Sequence, residues 1–421
     1  MGQRPEWGAC MLVTKDSYRV AFIAPSSFFY QAPIFRELAS HPRIQLMVYF
    51  CSDEAASGED VRRKFQTADQ WGDGGKTLEG YEYKFLKNYS PNPSYLRWPF
   101  GLMNFGIWRE IRKSKPDAVV IMSWVNITDL VSIFASIIFR SPLLLMTDAN
   151  ILAESARPKW LYWAKQLLLG KCLFRLAAGF LYTGTANSLL YQRYGVPEEK
   201  LVPFAFSWES KNFLRDADRL RSQRTQIRTE LGISQESSVI LYCGRLSPEK
   251  APLHLLKAYE RVGTSSKVLL FVGDGRLKKE LENYVTERHI PSVHFLGFQH
   301  RTEVAKFYTI ADVLVIPSLR EATGAVITEA MSFGLPVIAS NKVGFVLDLV
   351  KHGSNGFIFP PGDTETLAGY ITQVIEAPEG KKAEMAIRSR KLVEEWSQLN
   401  LAESLLKHLD LIYSAKGRKA G

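Results

Sequence analysis

Apolar runs a few residues long, each bounded by turn formers, alternate along the chain with segments of helical period. YRVAFIA (18–24) reads as a strand, PIFRELAS (33–40) as a helix and IQLMVYF (44–50) as a second strand. A polar, glycine-rich stretch running to about Gly80 reads as a long loop. YEYKFL (81–86), DAVVIM (117–122), PLLLM (142–146) and GFLYT (179–183) read as further strands, separated by basic amphipathic helices. Strands of this kind, alternating with helices, predict βαβ units and a parallel sheet covered on both faces. The rhythm breaks between about 206 and 235, where WESKNFLRDADRLRSQRTQIRTEL predicts a linker and an exposed, highly charged helix. It restarts with SVILYCG (238–244), KVLLFVG (267–273), VHFLG (293–297), DVLVIPS (312–318), LPVIAS (335–340) and GFIFP (356–360).

The pattern predicts an α/β protein with two Rossmann-like, doubly wound parallel-sheet domains facing across a cleft. The expected divisions are residues 1–208, a linker and exposed helix at 209–235, a second domain at 236–395, and a C-terminal helix at 396–421 that packs back on the first domain. Ligands of such sheets bind beyond the carboxyl ends of the strands, so the residues that follow each strand are the place to look for chemistry. The most apolar stretch, VSIFASIIFRSPLLLM (131–146), is interrupted by Arg140, Ser141 and Pro142. Its uninterrupted part is about nine residues, well under the roughly 20 that a membrane-spanning helix needs. It predicts a buried helix, a turn and a buried strand. The residues before Asp16 lack the apolar core of a secretory signal, so a cytoplasmic location is expected.

Composition narrows this little: 46% hydrophobic and 23% charged residues are an ordinary globular mixture. Cys10, Cys51, Cys172 and Cys243 lie far apart with no C-x-x-C pair, which argues against a disulfide scaffold and for a reducing compartment. Six of the seven histidines follow position 250, and none shows the spacing of a metal motif. His289, His294 and His300 straddle a predicted strand, so no metal site is expected. The net charge of +10 favours anionic partners, a nucleotide or an acidic membrane surface. Nucleic acid fits poorly, because no basic recognition helix or RNA-binding aromatic motif is present.

Three segments after strands carry candidate chemistry. GRLSPEK (244–250) sets Arg245 and Lys250 beside a helix start near Ala251. Two cations, backbone N–H groups and a helix dipole together suit a diphosphate, though two solvated surface cations would read the same way. GDGRLKKEL (273–281) has Gly273 and Gly275 for a tight turn and close backbone approach, but Lys278 stands where a dinucleotide fingerprint has its third glycine. GDGGKT (72–77) lacks the first glycine and the preceding strand of a P-loop, and reads as a loop over a cleft. In PSLREATGAVITEAMSFGLPVIAS (317–340), Glu321 follows a buried strand and Glu329 lies on the next helix, past Gly324. Were the interval wholly helical, the carboxylates would stand about 12 Å apart along the axis, too far for a glycosidase acid–base pair. They suit a clamp on two ends of a long polar ligand, with a phosphate between them at the helix N-terminus. The alternative is a helix-capping glutamate and an unrelated surface one.

Taken in order, GRLSPEK, VGDG, LGF, Glu321 with Glu329, AMSFGLPVIAS and HGSNGFIFPPGD resemble the donor-binding domain of glycosyltransferase family 4, of the GT-B fold, over most of 238–375. The resemblance implies retaining transfer from a nucleotide diphosphate sugar, without a metal or other cofactor. It implies that Arg245 and Lys250 hold the diphosphate, Glu329 the ribose, and that Glu321 faces the transferred sugar. Further donor contacts are implied at Gly244, Gly273, Asp274, Thr323, Gly324, Ala325 and Val326, with Gly297 and Phe298 near the base. A UDP-sugar is the expected donor, because such donors are common in that family. The expected acceptor is a saccharide or lipid-linked saccharide. Asp216 and Asp218 form a D-x-D in the charged linker and read as solvated.

The first half fits less well. APSSFFYQAP (24–33) lacks the glycine-rich loop the family often has after its first strand. MTDAN (146–150) stands where many members place a catalytic histidine, and no histidine lies between positions 41 and 254. Asp148 is the candidate for that sugar-side contact, with a helix-capping role as the alternative. KWLYWAKQLLLGKCLFRLAAGF (159–180) and YLRWPFGLMNFGIWREIRKSK (95–115) mix basic and aromatic residues. They read either as core-facing helices or as a surface for an anionic membrane. Two other functions remain open: a nucleotide-sugar epimerase of the same architecture, and a catalytically silent sugar-nucleotide-binding scaffold.

Overall fold

The computed structural model describes residues 15–53, 76–154, 166–204, 208–264 and 266–420. The first sheet has seven strands in the order β3-β2-β1-β4-β5-β6-β7. They are β1 (Tyr18–Ala24), β2 (Ile44–Phe50), β3 (Glu82–Phe85), β4 (Ala118–Ile121), β5 (Leu143–Met146), β6 (Gly179–Tyr182) and β7 (Leu201–Pro203), all parallel. The alternation of a strand sends its side chains to two faces, and both are covered. Val20, Phe22, Val120 and Leu144 pack on one side with Leu405 and Leu409 of the C-terminal helix Leu401–Ala420. Ala21, Ile23, Val119, Ile121 and Leu145 pack on the other with Ile107, Ile111 and Ile133.

The second sheet has six parallel strands in the order β10-β9-β8-β11-β12-β13. They are β8 (Ser238–Cys243), β9 (Lys267–Val272), β10 (Val293–Phe295), β11 (Val313–Ile316), β12 (Val337–Ser340) and β13 (Gly356–Phe359). Val239, Leu241, Leu314, Ile316 and Val337 share one core with Tyr308 and Ile327. Ile240, Tyr242, Val313 and Val315 share another with Leu255, Tyr259 and Leu367. The chain then returns to the first domain. In the helix Leu401–Ala420, Asp410 accepts from the Tyr18 hydroxyl at 2.7 Å and pairs with Arg43 at 2.8 Å.

Two elements differ from expectation. The segment read as a linker and an exposed helix holds the helices Trp208–Leu220 and Arg224–Glu230. Phe213, Ala217, Leu220 and Ile227 are buried, with Phe213 and Ile227 in the core of the second domain. Phe213, Ala217 and Leu220 form one helical stripe that the surrounding charge masks in a composition reading. Arg228 is only 2% exposed. It is sustained there by donating to the carbonyls of Ser237 at 2.9 Å and Ile310 at 2.8 Å and by pairing with Asp312 at 2.9 Å. The helix read as buried, Ile127–Ile138, is buried on one face only: Phe134 and Ile138 stand 60% and 58% exposed.

Each sheet reverses its winding once, between β1 and β4 and between β8 and β11. At these switch points the loops diverge and leave a crevice at the carboxyl ends of the strands, which is where a ligand finds room.

Candidate functional site

The loop after β8 is shaped by its glycines. Gly244 has φ +152°, and its N–H donates to the Val272 carbonyl at 2.9 Å. A Cβ on Gly273 would lie 2.0 Å from the Gly244 carbonyl oxygen. Only glycine lets these two loop starts touch. Gly273 in turn donates to Gly297 at 2.7 Å, so the starts of the loops after β8, β9 and β10 are laced side by side. Asp274 accepts from the Gly275 N–H at 2.6 Å and lies 3.9 Å from Lys278. Phe298 is half-buried beside His300.

Arg245 and Lys250 both stand at the β8–β11 switch point. The Arg245 guanidinium lies 3.4 Å from the Glu249 carboxylate. Its backbone carbonyl accepts from the Tyr242 hydroxyl at 2.8 Å, which fixes the start of the loop. Burial alone would raise the Glu249 carboxyl, but hydrogen bonds and the charges of Arg245 and Lys250 hold it below the usual range. Lys250 ends a short 3₁₀ turn, Pro248–Lys250, and its Nζ pairs with the Glu321 carboxylate. Pro252 opens the next helix, Pro252–Arg261, at a position that tolerates a missing N–H.

Glu321 does not lie in a helix. Its backbone N–H donates to the Lys342 carbonyl at 3.1 Å, and the turn that follows has Gly324 at φ +83°. A Cβ there would meet Val343 at 2.4 Å. Thr323 accepts from the Phe345 N–H at 2.8 Å. Ala325 precedes Val326, where the helix Val326–Ser332 begins. Glu329 therefore stands a turn inside that helix, and Tyr308 donates to it at 2.7 Å. Cys243 is close by, but burial, with the Glu329 charge adding, pushes its thiol up to about 12, so it stays a neutral packing group. The structure thus brings Arg245, Lys250, Glu321 and the Gly324 turn to one crevice, with Glu329 behind them and the Gly273–Gly297 pair beside them.

Across the cleft, Asp148 is exposed just past the end of β5. Two residues on, Asn150 Oδ1 accepts from the Ala153 N–H at 2.9 Å and caps the helix Ile151–Glu154. Asn150 was not singled out from the sequence, and neither were Tyr308 or the Thr185–Asp348 pair. The Asp348 carboxylate accepts from the Thr185 N–H at 3.1 Å, joining the two domains. Nothing in the local pattern marks these residues, because each finds its partner from a distant part of the chain. Asp216 and Asp218 lie on the helix Trp208–Leu220 and pair with Arg219 at 3.1 Å and Arg390 at 2.8 Å. GDGGKT falls largely outside the described residues, as do Trp160 and Trp163. Among the described residues, no three His, Cys, Asp or Glu side chains are grouped so as to hold a metal ion.

Comparison with known proteins agrees with this geometry. Residues 223–392 match the family model for glycosyl transferases group 1. The chain is 30% identical over 297 residues to the sulfoquinovosyl transferase of Arabidopsis thaliana, a match covering 65% of this chain and 53% of that protein. It is 28% identical over 199 residues to the N-acetyl-α-D-glucosaminyl L-malate synthase of Bacillus anthracis, covering 45% of this chain and 51% of that one. The chain spans about half the length of these curated relatives. Among solved structures, the Anabaena protein HepE in complex with UDP and glucose superposes with a TM-score of 0.63 at 21% identity, covering 90% of this chain and 95% of that one. That likeness shows the fold, the GT-B arrangement of two Rossmann-like domains.

Proposed function

We propose that the protein is a retaining glycosyltransferase that moves a sugar from a nucleotide diphosphate sugar, a UDP-sugar, to a saccharide or lipid-linked acceptor. The observation that carries this reading is the meeting of Arg245, Lys250, Glu321 and the Gly324 turn at the β8–β11 switch point. That crevice lies inside the segment that matches glycosyl transferases group 1. The UDP-bound state of HepE supports uridine as the base. A relative of Salmonella typhimurium named as a lipopolysaccharide 1,2-N-acetylglucosaminetransferase supports an acceptor of the saccharide kind.

In this reading, breaking the sugar–phosphate bond leaves growing negative charge on the departing diphosphate. Arg245, Lys250 and the amides of the turn at Gly324 are held in advance to receive it, without a metal. Donor binding releases Arg245 from Glu249 and turns Lys250 from Glu321 toward phosphate. The Glu321 carboxylate is then left to accept from sugar hydroxyls. Glu329, fixed by Tyr308, accepts from the ribose hydroxyls. Gly273 and Gly297 allow the base to lie against backbone. Asp148 faces the sugar from the other domain.

The acceptor side supports a lipid-linked substrate and contact with the cytoplasmic face of an anionic membrane. Trp98, Phe100, Phe134, Ile138 and Leu168 are each more than half exposed. They lie on the loop before Gly106, the outer face of the helix Ile127–Ile138 and the turn Gln166–Leu173. Arg97, Arg109, Arg112, Arg140 and Lys171, on or next to these segments in the chain, are exposed as well. Exposed apolar side chains interspersed along the chain with cations are the composition of a segment that seats among acidic lipid headgroups.

A thermal-shift series with UDP, GDP, ADP and CDP tests the donor site. A nucleotide at about 100 times its dissociation constant adds roughly 2.7 kcal/mol of stability. The expected result is a shift with UDP that Arg245→Ala loses. No shift with any of the four would overturn the donor reading. Binding without transfer to any acceptor would favour a scaffold, and conversion of the donor alone would favour an epimerase.

A further inference from the structure

We infer that Asn150 is a positioning residue, which holds the donor-side loop at Glu321 and Ala322 in register with the opposing domain through a carboxamide that no simpler cap could replace. Its side chain is 1% exposed and both ends are engaged. Oδ1 accepts from the Ala153 N–H at 2.9 Å and caps the short helix Ile151–Glu154. Nδ2 donates across the cleft to the Ala322 carbonyl at 2.6 Å and the Glu321 carbonyl at 3.1 Å. The orientation of the amide is fixed by its partners, since one side offers only an N–H and the other only carbonyls. A cap needs nothing but the oxygen, and Asp or Ser supplies that as well. The nitrogen serves the contact between domains alone.

Asn150 is itself held in place. The Ala149 carbonyl accepts from Asn187 Nδ2 at 2.6 Å, and Asn187 Oδ1 accepts from the Thr183 N–H at 3.1 Å. Asn187 is 3% exposed. A fixed path therefore runs from the end of β6, through Asn187 and the 149–150 turn, to the backbone that carries Glu321, whose carboxylate pairs with Lys250. Pinning those two carbonyls determines where the Glu321 side chain starts and how the next turn, through Gly324, presents its amides. A misplacement of about 1 Å at such a point is enough to cost a reaction about a hundredfold. Asn150 acts through that loop and is distinct from the sugar-side role proposed for Asp148.

The variants N150D and N150S keep a capping oxygen and remove Nδ2, the serine hydroxyl being too short to cap and reach the carbonyls at once; N150D also sets a carboxylate against two carbonyls. The unliganded melting temperature of N150S is expected to stay within about two degrees of wild type, since the cap survives, and that of N150D to fall further, since it buries a charge against carbonyls. Small-angle scattering of the unliganded full chain is expected to show a larger radius of gyration for both variants. The kinetic part rests on the transferase reading: kcat is expected to fall at least about tenfold while the UDP dissociation constant by calorimetry changes less than about threefold. Unchanged scattering, unchanged kcat, or a loss of UDP affinity that matches the loss of kcat would each overturn the inference. If wild type transfers no sugar, the transferase reading fails, and the scattering comparison alone decides for or against the clasp.

Discussion

The Tyr308 hydroxyl donates to Glu329 Oε2 at 2.7 Å, from the helix Arg301–Ile310 to the helix Val326–Ser332. Burial, with the neighbouring Cys243 and Glu329 adding, holds the Tyr308 phenol well above its ordinary pKa, so it remains a donor at any working pH. The carboxylate is thereby aimed before a ligand arrives. Glu329→Ala is expected to weaken UDP binding at least about tenfold, and Tyr308→Phe about threefold, because the latter loses the aim and keeps the acceptor. Calorimetry measures both. A Tyr308→Phe loss as large as that of Glu329→Ala would mean that the phenol itself touches the nucleotide.

Lys250 pairs with Glu321 across the switch point. If the cation receives leaving-group charge, Lys250→Ala lowers kcat by about 10²–10³ while the UDP dissociation constant rises less than about tenfold. Arg245→Ala follows the same pattern. A rise in KM with kcat intact at saturating donor would show both cations to be ground-state contacts only.

At Gly273 the backbone has φ +137°, and a Cβ would stand 2.0 Å from the Gly244 carbonyl oxygen. Relief requires the loops after β8 and β9 to separate. Gly273→Ala is expected to cost about 2–4 kcal/mol in urea unfolding and to abolish the UDP-induced thermal shift. Gly195→Ala is the control, since its positive φ is similar in kind but its Cβ would meet nothing within 4 Å.

His408 docks the C-terminal helix, with Nε2 donating to the Ala178 carbonyl at 3.1 Å. Burial lowers its pKa, and Lys200 adds to the lowering. Below the ordinary histidine value the unfolded chain therefore binds a proton that the folded chain resists. Stability falls as pH drops from about 6.5, by at most about 1.4 kcal/mol per pH unit, and the fall ends at the lowered folded value. His408→Gln, which does not titrate, is expected to flatten the melting temperature between pH 7 and 5. An identical slope in the variant would assign the pH dependence to other groups.

Much of this architecture is legible in the chain. β1, β2, β8, β9, β11 and β12 announce themselves as apolar runs ended by turn formers, because a strand buried on both faces has few polar positions to blur it. The Gly244–Lys250, Gly273–Gly275 and Glu321–Glu329 segments are likewise readable, since glycines and charged residues placed just after a strand show in the local pattern. The apolar stripe of the helix Trp208–Leu220 is hard to read in the chain because it is narrow and most of the remaining positions are polar or charged. In Ile127–Ile138 the outer face is equally hard to read, because exposed apolar residues look identical in sequence to core ones.

Every strand but the three-residue β7 was legible in the chain, as were the parallel, doubly wound pattern and the loops that carry cations, carboxylates and glycines, because those are properties of short segments. Only the tertiary structure decided what faces what. Lys250 meets Glu321 across 71 positions and Asn150 meets Ala322 across 172. Local periodicity holds no trace of such pairs, since they exist only where two sheets change winding and two domains close on one cleft.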